Sequence, residues 1–399
     1  MNDDQYNTLS ETQFSQMIQC ADQVMTLKIF RQNLEQPYMN HQQCFIYCMK
    51  CILQVTEEED EQLARESTWL LVRLSFKNNL FSHLFQLGAI FYRLVVTHLS
   101  NSEIIYNTLL ALSNTMFAQG ELVKQKEDMI HFRKSVQQFC SSFSLKQLVI
   151  SLSGLSDNHL LSFLQFYVTL GQNGMIFNDV EVYQHLLRQC DLKQVLRMQI
   201  QLCISTIKHS RRNDIGIDVN TIILNLTSRF ARQAIDLFGN VKSVHVELLG
   251  LIQTELNNKE DINLIGPDIT FEYLQFIVQK NIQNKIQNKQ NLLIKVFMIL
   301  KLISSLNLNI SGFNDFALTQ MKSSVPEIQK LSSEFVFNQI NVEEIELNYE
   351  LAQYICKIQV QCEKPDLDLL LICANFDSRI VEEFPQNIFD ELTLSGFLQ

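Results

Sequence analysis

Apolar residues recur along this chain with the spacing of amphipathic helices, and short polar breaks separate the apolar segments. Apolar side chains repeating every three to four residues share one face of a helix, whereas apolar residues of a half-buried strand alternate. The pattern therefore predicts helices throughout. The segments with the helical period are 21–53, 62–75, 84–99, 103–114, 160–171, 195–208, 219–231, 244–256, 271–278, 292–306, 325–340 and 347–360.

Two of these segments are weak copies of each other. Trp69 superposes on Leu110 and Arg73 on Asn114, an offset of 41 residues. A fixed period of this length is typical of two- or three-helix solenoid units. We therefore predict an α-solenoid of about eight units over residues 26–399, preceded by a polar and acidic segment, 1–25, and closed by an acidic cap from about residue 341.

Composition agrees with an all-α fold. Apolar residues make up 46% of the 399 residues, whereas Gly (11) and Pro (5) are scarce. Large β-sheet proteins need many turns rich in these two residues, and helical proteins need few. Gly88, between the two weak copies near Trp69 and Leu110, suits a tight corner or a close approach of two backbones.

The negative charge is concentrated near the C-terminus. The net charge of the chain is −11, and residues 341–399 hold twelve acidic and three basic residues. An acidic surface repels phosphate backbones, so we predict no nucleic-acid binding there. The region is either a solvated surface or a surface for a basic partner.

The ten cysteines lie mostly inside apolar segments without a regular spacing. This usage favours a reducing compartment, because buried thiols behave as small apolar groups. No signal peptide opens the sequence, and no apolar run is long enough to span a bilayer. We therefore expect a soluble protein of the cytoplasm or nucleus that does not bind membranes.

One helix carries His41, Cys44, Cys48 and Cys51 on a single face. These residue types bind zinc, but four ligands along one straight helix cannot surround an ion tetrahedrally. A core face made partly of cysteine is the favoured alternative, and we predict no metal site.

Motifs of catalysis and cofactor binding are missing from the sequence. It has no phosphate-binding glycine loop, no zinc-protease signature and no nucleophile elbow. GQNG, at 171–174, is interpreted as a turn between helices. We therefore predict a protein without a cofactor that is not an enzyme.

The N-terminal third resembles the armadillo repeats of the importin-α family. LKIFRQNL (27–34) is similar to the entry into that family's first repeat, and QLARESTWLLVRLS (62–75) to the third helix of the repeat. Residues 87–114 resemble the second and third helices of the next repeat. The resemblance implies a right-handed superhelix of armadillo repeats with a concave groove lined by the third helices.

In that family, recurring Trp and Asn side chains bind an extended basic nuclear-localisation peptide. Asn grips the peptide backbone, since an amide both donates and accepts hydrogen bonds, and Trp faces attract cationic side chains. Carried onto this chain, the resemblance implies a groove lined by Glu66, Trp69, Arg73, Asn107, Leu110 and Asn114.

The chain also departs from the family pattern. It has a single Trp, Arg73 stands at the Asn position beside Trp69, and no basic residue precedes Lys28 to form a carrier-binding arm. Two hypotheses follow: a divergent importin-α-like adaptor in nuclear import, or a general armadillo scaffold in cytoskeletal or signalling assemblies. Both bind a peptide or protein partner, which in the first is a basic signal peptide.

Overall fold

The computed structural model describes residues 16, 22–36, 39–76, 87–122, 126–151, 156–173, 179–210, 217–238, 241–257, 267–282, 290–304, 310–342, 344–362 and 365–394. Within these ranges every regular element is helical, which confirms the all-α prediction. The α-helices are α1 (Gln23–Asn33), α2 (His41–Val55), α3 (Glu61–Leu74), α4 (Gly88–Thr97), α5 (Ser102–Leu122), α6 (Lys126–Ser142), α7 (Leu145–Ser151), α8 (Asp157–Gln172), α9 (Val180–Leu186), α10 (Lys193–Ser210), α11 (Ile217–Asp236), α12 (Lys242–Asn257), α13 (Pro267–Ile282), α14 (Gln290–Ser304), α15 (Asn314–Gln320), α16 (Pro326–Asn341), α17 (Tyr349–Val360), α18 (Leu367–Phe376) and α19 (Gln386–Leu394).

The helices form two compact units, one up to Ile222 and one from Ile223. In the first unit, α1, α3, α5, α8 and α10 form a row in which each helix packs against the next. Shorter helices flank this row: α4 contacts both α2 and α6, and α9 contacts α7. Stacked helices bury a shared core between neighbouring layers, as expected for helical repeats.

The 41-residue offset of the sequence reappears in the starts of two helices in this row. Helix α3 begins at Glu61 and α5 begins at Ser102, 41 residues later. A short polar side chain caps each start: Asp60 accepts from the Leu63 amide, and Asn101 accepts from the Glu103 amide. Such caps satisfy amides that have no partner inside the helix, so equivalent positions of the two copies begin a helix in the same way.

Hydrogen bonds between the end of α4 and the end of α2 span a similar number of residues in the sequence. At the end of α4, the Thr97 hydroxyl donates to the Thr56 carbonyl, 41 residues away, at 3.4 Å. His98 Nε2 donates to the Val55 carbonyl, 43 residues away, at 3.0 Å. Because His98 is buried, this bond satisfies polar groups that would otherwise be costly to desolvate.

Gly88 allows a close approach of two helices rather than a left-handed turn. It begins α4 against the last turn of α6, where an added Cβ would lie 2.1 Å from Ser142 Oγ and 3.1 Å from the Phe139 carbonyl oxygen. Real Cβ atoms do not approach this closely. The position therefore requires glycine for packing, one of the two reasons that the sequence indicated.

In the second unit, α12, α14, α16, α17 and α18 each pack against the next. Some of its buried polar groups are paired between helices: His245 Nδ1 of α12 lies 2.8 Å from the Tyr273 hydroxyl of α13. Gln339 of α16 donates to the Ser304 hydroxyl of α14 at 3.3 Å. These pairs lie 28 and 35 residues apart in sequence, so they join helices of different layers.

Some elements differ from those predicted from the sequence, and helices α6, α7, α9 and α15 lie outside the predicted segments. Gly171 and Gln172, predicted to be part of a turn, are the last residues of α8. Gly171 stays helical because the absence of a side chain admits Ser205 of α10, whose Oγ would lie 2.5 Å from an added Cβ. The acidic C-terminal region contains α18 and α19, two helices that the periodicity did not predict.

Most of the acidic side chains that the structure describes in the C-terminal region are exposed, and two of them begin helical segments. Asp366 accepts from the Leu369 amide at the start of α18, and Asp377 accepts from the Arg379 amide at the start of the 3₁₀ helix Ser378–Glu383. Among the described residues, no helix is long and apolar enough to cross a membrane.

Candidate partner-binding groove

An open groove of about 580 Å³ lies on the first unit, where side chains of α1, α3 and α5 converge. We call it the Trp69 groove, and it contains half of the groove residues predicted from the sequence. The groove is lined by Arg31, Gln32, Arg65, Glu66, Trp69, Arg73 and Glu103.

Helix α3 supplies the centre of the groove because of its residue spacing. Glu66, Trp69 and Arg73 are separated by three and four residues, so they follow one another along one face of the helix. Apolar residues such as Leu70 and Leu74, on another face, are fully buried. Burial of that apolar face holds the three groove residues in fixed positions.

Glu66 is a buried charge compensated by the neighbouring helix. It is 6% exposed, and Arg31 Nη1 of α1 lies 3.0 Å from its Oε2 atom. The contact is an ion pair by distance, although the guanidinium N–H does not point at this oxygen. A buried carboxylate without a cation would be strongly destabilising, so Arg31 is needed where it is.

The Trp69 ring is half-buried and held from two sides. Its Nε1–H donates to Glu103 Oε1 of α5 at 2.7 Å, and the Arg31 guanidinium lies 5.7 Å from the ring centroid. Arg65 Nη1 lies 3.9 Å from Glu103 Oε2. The ring is therefore bound to an anion at its edge and approached by a cation at its face.

Arg73 is exposed, as Arg65 is, but it differs from the other groove arginines because it forms no ion pair or hydrogen bond within the described part of the chain. It lies in the last turn of α3, where a cation complements the helix dipole. Its five N–H donors are available to a ligand.

The other three predicted groove residues lie on α5 and do not line the Trp69 groove. Asn114 is half-buried and donates from Nδ2 to the Ser75 hydroxyl at 3.2 Å, and Leu110 is half-buried. Asn107 has no exposed surface, and neither polar atom of its side chain has a hydrogen-bond partner among the residues that the structure describes. A ligand could contact Asn107 only after neighbouring side chains moved.

Sequence reasoning missed four residues of the groove: Gln32, Arg31, Arg65 and Glu103. Arg31 and Glu103 belong to other helices than Trp69, and nothing in the local pattern pairs them with it. The 41-residue offset indicates which helices correspond, but it does not show which side chains meet between neighbouring layers.

A related arrangement in the second unit was also missed. Glu334 of α16 is 7% exposed, and Lys301 of the preceding row helix, α14, lies 2.7 Å from its Oε2 atom. Phe337 and Asn341 follow Glu334 at the spacing that Trp69 and Arg73 show after Glu66. Phe337 is buried and Asn341 is exposed. The surface that follows Glu334 therefore offers an amide side chain but no accessible aromatic ring.

The cysteine face of α2 is part of the core, as the favoured alternative predicted. Cys44, Cys48 and Cys51 are all fully buried, and His41 Nε2 donates to the Leu34 carbonyl at 2.9 Å. Burial raises the pKa of the Cys44 thiol to about 12 and that of Cys51 to about 11, so both stay protonated at neutral pH. Within the described ranges, no three His, Cys, Asp or Glu side chains are placed to hold a metal ion.

No family profile matches the chain, and no curated protein sequence matches it significantly.

Proposed function

We propose that this chain is a non-catalytic adaptor whose Trp69 groove binds an extended segment of a partner protein. In this proposal the helices belong to a right-handed superhelix of armadillo-type repeats, and the row α1, α3, α5, α8 and α10 forms its binding face. The observation that carries the proposal is the convergence of an accessible Trp with charged side chains from three successive helices in an open groove.

The chemistry of the groove suits a peptide. Tryptophan and arginine are enriched among residues that dominate protein interfaces, because both combine apolar surface with hydrogen-bonding groups. Gln32 is exposed at the groove, and its amide can donate to and accept from a peptide backbone. An extended peptide leaves its backbone groups open to such contacts.

Two candidate roles share this binding mode. The first is an importin-α-like adaptor in nuclear protein import, present in cytoplasm and nucleus, that binds a basic signal peptide. The second is a general interaction scaffold without a transport role. The second is favoured by Arg73, an exposed cation beside Trp69 that repels basic ligands.

Peptide binding measured by fluorescence anisotropy tests the proposal. A labelled basic localisation peptide is titrated with the wild-type chain, Trp69→Ala, Asn114→Ala and the matched surface variant Arg93→Glu. The import role requires binding that Trp69→Ala abolishes and Arg93→Glu preserves. If the wild-type chain does not bind the peptide, the import role fails.

The adaptor proposal itself is tested by identifying bound proteins by mass spectrometry after affinity capture from cells. We expect partners that are lost with Trp69→Ala and retained with Arg93→Glu, provided that circular dichroism shows equal folding. A partner set that is the same for both variants would contradict the proposal.

A further inference from the structure

We infer that the occupant of the Trp69 groove is an acidic, extended segment of a partner protein, with one carboxylate bound by Arg73. The inference rests on the proposed function of this groove and specifies the chemistry of its ligand. Its basis is that, among the described residues, the two glutamates of the groove are paired within the protein, whereas Arg73 is not.

Glu66 is not open to a ligand. Glu66 is almost fully buried and lies 3.0 Å from Arg31 Nη1, so its charge is compensated within the protein. A Lys side chain of a ligand would have to displace Arg31 to reach it. That exchange would replace one ion pair by another and would also require desolvation of the incoming cation.

The second carboxylate of the groove, that of Glu103, has a protein neighbour at each of its two oxygens. Glu103 Oε1 accepts the indole N–H of Trp69 at 2.7 Å, and Oε2 lies 3.9 Å from Arg65 Nη1. Among the described residues of the groove, a basic ligand therefore meets no carboxylate without a protein partner. It would compete with Trp69 for one oxygen and with Arg65 for the other.

The cations outnumber the anions, and Arg73 carries the excess. Of the described residues that line the groove, three are arginines and two are glutamates. With Glu66 facing Arg31 and Glu103 facing Arg65, Arg73 is the groove arginine that forms no ion pair with any described residue. A guanidinium binds a carboxylate through two parallel N–H bonds, which is stronger and more directional than a contact between neutral groups.

The groove carries an excess of positive charge, whereas the protein as a whole is acidic. This combination favours short anionic ligands over long ones. The chain as a whole carries a net charge of −11. Long polyanions such as nucleic acids would meet repulsion from the surrounding surface, since their charge extends well beyond one groove. A short acidic segment that pairs with Arg73, packs an apolar side chain on Trp69 and meets the Gln32 amide satisfies the open groups.

Trp69 is the only tryptophan of the chain, so its fluorescence reports on this groove alone. The test uses two short, acetylated, Trp-free peptides of equal length, one alternating Glu and Leu and the other alternating Lys and Leu. The full-length chain is titrated with each peptide while the emission of Trp69 is followed. We expect a saturable response to the Glu peptide that weakens as salt is added.

Charge variants connect the response to Arg73. Arg73→Glu should weaken binding of the Glu peptide by about tenfold or more, and Arg73→Gln by less. The matched variant Arg93→Glu makes the same charge change at an exposed position of α4 outside the groove and should leave binding unchanged. Circular dichroism and thermal unfolding verify that each variant is folded.

The possible outcomes separate this inference from the proposed function. A saturable response to the Lys peptide alone would preserve the groove as a peptide site and overturn the acidic ligand. If neither peptide changes the emission, both proposals are overturned. Equal weakening by Arg73→Glu and Arg93→Glu would reduce the effect to net charge and would also overturn the inference. Dimers that Arg73→Glu dissociates, detected by light scattering, would assign the groove to a second copy of the chain instead.

Discussion

The indole N–H of Trp69 donates a 2.7 Å hydrogen bond to Glu103, 34 residues later in the chain. The bond joins α3 to α5, consecutive helices of the row, and it fixes the edge of the ring that forms the centre of the groove. The face of the ring remains partly exposed. One residue pair thus stabilises the packing of two layers and orients the candidate binding surface.

Removing this acceptor should affect both stability and the spectrum of Trp69. Glu103→Ala is expected to lower the free energy of unfolding by about 1 kcal/mol, because the bond is charge-assisted but part-exposed. The emission of Trp69 should shift as its indole loses a charged partner. Denaturant unfolding and fluorescence measure the two effects. Glu57→Ala, which removes an exposed carboxylate elsewhere in the first unit, should change neither.

Gly88→Ala should destabilise the first unit, because the new methyl group would lie 2.1 Å from Ser142 Oγ. Overpacking of this kind costs about 1–3 kcal/mol. Thermal unfolding of the single variants and of Gly88→Ala with Ser142→Ala tests the cause. The double variant should recover part of the loss and retain the part due to the Phe139 carbonyl oxygen at 3.1 Å. Additive effects of the two substitutions would exclude Ser142 as the clashing group.

Glu255 should make the second unit less stable as pH rises. Burial raises the pKa of this carboxyl from 4.5 to about 8, partly opposed by the hydrogen bond from Thr227. Between these two pH values the folded state holds a proton that the unfolded state has released, so the free energy of unfolding falls with increasing pH. The decline begins near the unfolded pKa and levels off above the folded one.

Glu255→Gln isolates this contribution, because the amide keeps the shape of the protonated carboxyl and does not titrate. Urea unfolding of both proteins from mildly acidic to mildly basic pH should give similar stabilities at the acidic end. The variant should be the more stable protein above pH 8. Parallel pH profiles for the two proteins would contradict a buried, protonated Glu255.

Lys301→Met should destabilise the second unit by leaving Glu334 with a weaker partner. Lys301 Nζ lies 2.7 Å from the Glu334 carboxylate, whereas Lys330 Nζ lies 3.9 Å from it. Because Lys301 is half-exposed but Glu334 is buried, we expect a loss of about 1–3 kcal/mol in denaturant unfolding.

The matched variant Lys322→Met removes an exposed charge of the same unit and should have little effect. Adding Glu334→Leu to Lys301→Met should restore much of the loss, since the unpaired buried charge is then absent. If the double variant is as unstable as Lys301→Met alone, packing rather than charge explains the effect.

Much of the helical architecture was accessible to pattern reasoning. The polar residues at 100–102 predict a break between two helices. Helix α5 begins at this break, because Asn101 caps its first turn. The cysteines of α2 were assigned to the core from their spacing, and they are buried. The sequence analysis does not predict helix α18, although its sequence LDLLLICANF is strongly apolar. The helix lies inside a segment whose interpretation rests on its acidic charge and not on its apolar periodicity.

The candidate site was predictable only within one helix. Glu66, Trp69 and Arg73 share a face of α3, and local spacing is enough to show it. The resemblance to the importin-α family also implied groove residues on α5, yet Asn107 is buried and Asn114 bonds to Ser75. Which side of a helix faces solvent depends on how its neighbours pack, and a periodic pattern alone does not specify that.

The amino-acid sequence by itself determined the all-helical class, the starts of the principal helices and the 41-residue offset between α3 and α5, because capping and apolar periodicity act over a few residues. The tertiary structure decided which charges are paired. Arg31 reaches Glu66 across 35 residues of sequence, and Trp69 reaches Glu103 across 34. Such contacts form when helices that are distant in sequence pack against each other. Only the tertiary structure therefore shows that Arg73 has no ion-pair partner among the described residues.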